Sequence, residues 1–222
     1  RHGMPEELAQ QMPVMKDVLR AMNIPIYECQ GWEADDVIGT VGRICSNNEW
    51  ECVIVTGDRD SLQLIDDHVT VMLETTKGNI RFDKAKFIEE YGFEPKKLID
   101  LKALMGDSSD NIPGVKGIGE KTAKALLQKF GSLDGVYENL DDPSIKPKMR
   151  EKLVSDKENA YLSYELATIR PEAPIDFEPK DAIVQPYNKP ELYALFQRLE
   201  FVKLIDKYGL RGAAEEAPKT TV

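Results

Sequence analysis

Gly106-Asp-Ser-Ser-Asp-Asn-Ile-Pro-Gly-Val-Lys-Gly-Ile-Gly-Glu-Lys-Thr-Ala123 decides how the rest of the chain is read. Two carboxylates, Asp107 and Asp110, open it. A glycine-rich hairpin from Gly114 to Gly119 follows and leads straight into a helix-forming run, Glu120 to Phe130. Glycine lets the backbone approach a ligand closely and permits positive φ. The unpaired N–H groups at the start of the following helix suit an anion such as phosphate. Carboxylates hold metals or protons, whereas amide hairpins hold phosphates. Side by side, they suggest metal-dependent chemistry on a phosphodiester.

Moving upstream, two more acidic clusters stand out. Trp32-Glu33-Ala34-Asp35-Asp36 opens a helix whose apolar face is Val37, Ile38, Val41, Ile44 and Cys45. Acids in a first turn are favourable dipole partners, but three in four residues exceed that need. Glu33 and Asp36 share a face at i, i+3, so their repulsion calls for a cation. Cys52 to Thr56 is a β-branched apolar run, the pattern of a strand buried on both faces of a parallel sheet. Gly57-Asp58-Arg59-Asp60 sits at its carboxyl end, where α/β sheets bind ligands. A parallel sheet can bring Glu33, Asp35, Asp36, Asp58, Asp60, Asp107 and Asp110 to one rim. All-oxygen donors of this kind suit Mg²⁺ or Mn²⁺, two of which would activate water and stabilise an in-line displacement at phosphorus.

The remaining chain is read from periodicity. Leu8, Met12, Met15, Leu19 and Met22 form a helical stripe expected to be core, and Ile24 to Glu28 reads as a short strand. Val69 to Leu73 and Asn79 to Phe82 are strand candidates. Asp83 caps a helix ended by Gly92, and Pro95 starts another stopped by Gly106. After the hairpin helix, Ser132 to Leu140, Pro147 to Val154 and Lys157 to Ile169 are all helical. Pro171 to Pro186 is extended, and two more helices run to about Tyr208. Arg211 to Val222 has the composition of a disordered linker.

The composition, 41% hydrophobic and 31% charged, is that of a soluble globular protein, and no apolar run is long enough to span a bilayer. Three cysteines without metal-ligand spacing are expected to be reduced thiols. A net charge of −10 argues against nucleic acid at first sight. The distribution says otherwise. Residues 33–60 carry seven acids against two bases, while residues 116–152 carry eight bases against six acids. Acid in one place and base in another fits a metal site beside a phosphate-binding face.

These motifs resemble the 5′-nuclease, flap endonuclease-like domain family of bacterial DNA polymerase I, with similarity from about residue 5 to 210. The stretch 106–123 resembles its signature; Trp32 to Ile38, Thr56 to Asp60 and Gly106 to Asn111 resemble three successive acidic motifs. The resemblance implies an α/β, PIN-like parallel sheet between helices, with an all-helical helix–three-turn–helix DNA-binding module. It implies a nuclease core over residues 1–105, the module over 106–170, packing helices over 171–210 and a linker over 211–222 to a polymerase region. The seven carboxylates would be metal ligands, direct or through water. Gly114, Val115, Lys116, Gly117, Ile118, Gly119, Lys121, Thr122 and Lys124 would meet the DNA backbone, with K⁺ held on hairpin carbonyls. The implied partner is duplex DNA with a 5′ flap or nick, acted on by a monomer in the bacterial cytoplasm and nucleoid. Arg1-His2-Gly3 resembles the tail of the family's basic arch. The family's first strand, with another metal aspartate, precedes that point, so the chain alone is expected to cleave poorly. A catalytically inactive DNA-binding relative and a PIN-type RNase are the rival readings. The full set of acids argues against the first and the hairpin against the second.

Overall fold

The structure, a computed structural model, describes residues 4–212. The chain divides into two compact units, one from residues up to Glu28 together with Ile175 onward, the other from Cys29 to Pro174.

In the first unit, helix α1 (Glu6–Ala21) starts after Pro5 and packs through Val18, Ala21 and Met22 on α9 (Lys189–Arg198) and α10 (Val202–Lys207). Leu192, Phe196, Ile205 and Leu210 complete that small core. The expected methionine stripe is only partly core: Leu8 and Met15 are exposed, because the packing face covers only the last turn of the helix. The strand expected over Ile24 to Glu28 does not form. The segment has no ladder partner among the described residues, and Pro25 lacks a donor for one.

The second unit holds the sheet. Its elements begin with α2 (Ala34–Asn47), β1 (Cys52–Thr56), β2 (Val69–Thr75) and β3 (Gly78–Phe82). The strand order is β1-β2-β3, with β1 parallel to β2 in the register Cys52↔Val69. The expected parallel pairing is that of β1 and β2, and β3 is added at the edge antiparallel to β2. Thr75 pairs with Gly78, and a two-residue loop of that kind permits only a hairpin return. β1 also buries one face rather than two: Ile54 is buried, while Val53 and Val55 are 49% and 63% exposed.

Helices α3 (Lys84–Tyr91), α4 (Leu98–Met105), α5 (Glu120–Phe130), α6 (Leu133–Glu138), α7 (Pro147–Ser155) and α8 (Lys157–Ala167) complete the unit. The caps lie where the sequence places them. Asp83 accepts from Lys86 N at 2.7 Å, Gly92 ends α3 at φ 80°, and Ser132 accepts from Gly135 N at 3.0 Å. Sheet residues Val71, Leu73 and Phe82 share one core with Leu104 of α4, Leu126 and Leu127 of α5 and Leu153 of α7. Each such side chain contributes roughly 1.5–3 kcal/mol by leaving water. The carboxylate of Asp100, buried in α4, accepts from Leu133 N at 2.7 Å and ties α4 to the start of α6. The boundary expected at residue 105 therefore runs through a continuous core. Residues 1–3 and 213–222, read above as arch tail and linker, lie outside the described residues.

Candidate metal centre and nucleic-acid interface

Gly57 turns the chain off β1, and Asp58 caps the short 3-10 turn that follows, accepting from Asp60 N at 2.9 Å. This local bonding sends Asp60 inward, where only 15% of its side chain is exposed. The loop after α4 brings Asp107 and Asp110 to the same place, closed by an antiparallel bridge between Asp107 and Ile112. One carboxylate oxygen each from Asp60, Asp107 and Asp110 lies within 4.8 Å of the others. They line a cavity of about 620 Å³ together with Asp58, Arg59, Tyr91 and Glu120.

Lys102 is the residue that sequence reasoning missed. It stands in α4 between Leu101 and Ala103, 8% exposed, and its ammonium pairs with Asp60 and, at 2.6 Å, with Asp107. Burial works against that charge, but the two carboxylates outweigh it and hold the Lys102 pKa above its usual value. Burial likewise pushes Asp107 upward; the Lys102 and Ser109 hydrogen bonds outweigh it, and Asp107 stands below the ordinary carboxylate range. Asp60 remains raised, by burial first and by Asp58 and Asp107, despite Lys102. Carboxylate oxygens from three residues within 4.8 Å of one another form the hard oxygen donor set that suits a divalent cation.

The acids of α2 divide between two roles. Asp35 faces the centre: burial raises its pKa, and the charges of Asp58 and Asp60 come next in size. Asp36 is occupied by backbone. Its oxygens accept from Glu33 N at 3.2 Å and from Arg170 N at 2.8 Å, so it caps α2 and anchors the chain beyond α8. Glu33, the N-cap residue, is exposed. The structure thus draws together Asp60, Asp107 and Asp110, sets Asp35 and Asp58 beside them, and leaves Glu33 and Asp36 at the helix start.

The hairpin is built from within. Gly106 and Gly114 both have positive φ and meet backbone to backbone, and a Cβ on Gly114 would overlap Gly106 N. Gly114 N donates to Ser163 Oγ at 2.8 Å, and Val115 and Ile118 are buried in the core. These three hold the hairpin's shape. Lys116, Gly117, Gly119 and Lys121 are exposed, and a Cβ on Gly119 would meet nothing within 4 Å. Lys116 N donates to Asp156 at 2.8 Å, and Lys152 of α7 donates to Gly117 O at 3.1 Å. Thr122 is half-buried in the first turn of α5. Lys124 pairs with Glu120 at 2.7 Å and lies 4.5 Å above the Tyr91 ring.

The whole arrangement matches known proteins over nearly all its length. Residues 1–92 match the 5′-3′ exonuclease N-terminal resolvase-like domain, and residues 93–190 the 5′-3′ exonuclease C-terminal SAM fold. The chain belongs to the 5′-3′ exonuclease family. It is 44% identical over 218 residues to DNA polymerase I of Caldicellulosiruptor bescii, covering 95% of this chain and 25% of that protein. It is 41% identical over 219 residues to DNA polymerase I of Bacillus subtilis, covering 97% and 25%. The chain thus spans about a quarter of the length of these relatives. Among solved structures, T5 5′-exonuclease with bound divalent zinc ions shares the fold with a TM-score of 0.65 at 24% identity, covering 88% of this chain and 72% of that one. The catalytic core of Rad2 in complex with DNA substrate shares it with a TM-score of 0.61 at 18% identity, covering 86% and 64%. A resolvase-like α/β domain joined to a helical SAM fold, with an acidic cluster beyond β1 and α4, is the frame of a metal-dependent nuclease. Among the described residues, no helix is long and apolar enough to cross a membrane.

Proposed function

We propose that the chain is the 5′-nuclease part of a DNA polymerase I, hydrolysing phosphodiesters near 5′ ends and flaps of duplex DNA. The observation that supports it most is the convergence of Asp60, just beyond β1, with Asp107 and Asp110 on the loop that enters the hairpin. Those three carboxylates, with Asp35 and Asp58 beside them, would hold Mg²⁺ or Mn²⁺. Such ions, when bound, supply a hydroxide nucleophile and neutralise charge developing at phosphorus. The protein's own part is positional. Lys102 keeps Asp60 and Asp107 aimed at the cavity, and Ser109 N fixes the second oxygen of Asp107. The exposed crown residues Lys116, Gly117 and Gly119, with Lys121, would meet phosphates along the duplex without reading sequence. Hairpin carbonyls there would take K⁺. A polymerase region would continue the chain, as in the relatives it matches along a quarter of their length.

The test is cleavage by the full-length protein, in Mg²⁺, of 5′-flap DNA beside single-stranded RNA. Release of short 5′ products from the flap, abolished by chelation, is the expected result. Cutting of RNA in preference would favour a PIN-type RNase, and tight flap binding without cleavage would mark an inactive relative. Lys116→Ala and Lys121→Ala should each lower the salt slope of duplex binding by about one. Unchanged slopes would reduce the basic face to solvated surface.

A further inference from the structure

Arg59 stands between the two aspartates that close β1 and lines the acidic cavity, yet its guanidinium turns to other partners. Its Nη1 donates to the Tyr91 hydroxyl at 3.0 Å and lies 3.7 Å from Glu90. Tyr91 is a rigid support for it. Its ring is buried, stacked on Phe87 at 4.2 Å between centroids and within 5° of parallel, and Lys124 occupies the face that Phe87 leaves. The ring is thus packed on both faces, with its hydroxyl at the cavity. The contact with Glu90 is long and made by half-exposed side chains, so it contributes little and exchanges readily.

A guanidinium has five N–H donors in a planar fork, and Tyr91 takes one of them. The fork fits phosphate oxygens bidentately. Holding the long side chain by one bond lowers the entropy lost when the others engage. Within a cavity rich in carboxylates, a cation kept off those carboxylates retains its charge for a substrate. We propose that Arg59 is a substrate-contacting residue that grips one DNA phosphate beside the scissile one, and that Tyr91 is the positioning residue that presents it. This rests on the reading of the site as a nuclease centre. Chemically, the ligand is a phosphodiester oxygen pair of the DNA backbone, and no base is read.

The alternative role for Arg59 is to offset the charge of its neighbours, and a phosphate-by-phosphate test separates the two. The full-length protein is titrated with 5′-flap DNA carrying a single neutral methylphosphonate, moved one position at a time across the junction. Wild type, Arg59→Gln, Arg59→Lys and Tyr91→Phe are compared, with the salt dependence of each. At one position wild type should lose about 10-fold in affinity, on the scale of one charge-assisted hydrogen-bonding contact. Arg59→Gln should show that loss on unmodified DNA and none further at that position, with a salt slope smaller by about 0.9. Arg59→Lys should recover part of the affinity. Tyr91→Phe, which keeps the ring stack, should weaken the same position to a lesser degree. Losses that add at every position, with an unchanged slope, would overturn the inference while leaving the nuclease reading intact. Failure of wild type itself to bind or cut the flap would overturn both.

Discussion

The acidic centre and the glycine hairpin come within four residues of each other along the chain, from Asp110 to Gly114, yet they are built by opposite means. The centre is assembled from three distant segments, one at the end of β1, one in the first turn of α2 and one after α4. Burial sharpens the repulsion among its charges, and the ammonium of Lys102 offsets it. The hairpin is local, and its shape comes from glycine conformations, a backbone clasp and two buried aliphatic residues. One region stores electrostatic stress and the other stores none. Chemistry should therefore be sensitive to single charges, and grip to single backbone atoms.

The largest effect expected from that contrast is on the chemical step. Asp107→Asn should lower flap cleavage by about 10²- to 10³-fold, the scale of losing one preorganised electrostatic group. Duplex affinity should stay close to wild type, because the hairpin crown is untouched. Single-turnover rates measured beside equilibrium binding decide it, and a parallel fall in both would mean that the two regions are not separable.

Stability should respond next. Lys102→Met leaves the half-buried Asp60 and Asp107 facing each other without their ammonium, a loss whose upper bound is the roughly 3–5 kcal/mol of breaking a fully buried charge pair. Without divalent ions the urea midpoint should fall accordingly, and millimolar Mg²⁺ or Mn²⁺ should recover much of it by binding the native state. A loss that no cation repairs would show that Lys102 supports packing rather than charge.

A third comparison lies within the hairpin. Gly114→Ala forces a Cβ into the backbone of Gly106 at a positive φ and should destabilise by about 1–3 kcal/mol. Gly119→Ala, with open space at its Cβ, should change stability by no more than about 0.5 kcal/mol and act only on duplex affinity. Equal melting curves for the two variants would remove the clasp from the account.

The smallest effect is the most specific. Burial and then Asp58 and Asp60 raise the Asp35 pKa above its ordinary 3.8. A carboxyl raised in the folded state destabilises above that folded value and not below the unfolded one. In metal-free buffer at pH 7, Asp35→Asn should therefore raise the midpoint, on the order of 1 °C. The gain should vanish as pH falls toward 3.8. With saturating Mg²⁺ the sign should reverse, since the variant has lost a ligand.

Much of this was legible in the sequence because the governing signals are local. The β-branched run of β1, the aspartates after it, the caps Asp83 and Ser132 and the glycine stop at Gly92 all act within a few residues. Lys102 was not legible. A lysine among Leu98, Leu101 and Leu104 reads as the solvent side of a helix, and only the arrival of Asp60 from 42 residues away makes it interior. Asp36 is similar, since its second oxygen is claimed by Arg170 N, 134 residues on. Val115 and Ile118 could have been found. Their apolar side chains among exposed neighbours are a core pattern, which the glycine motif overshadowed. The reversal of β3 also had a signal, since a two-residue loop before Gly78 leaves no room for a crossover.

The clasp between Gly106 and Gly114 has one more consequence, which concerns measurement. Gly106 immediately precedes a cavity aspartate, Gly114 begins the hairpin, and their backbones touch. If the hairpin grips DNA and the acids cut it, as proposed, the two points would belong to one calliper whose span is set in ångströms and owes nothing to base sequence. A nuclease with such a gauge counts phosphates from where it holds, so its cuts should fall at one fixed offset on every duplex it meets.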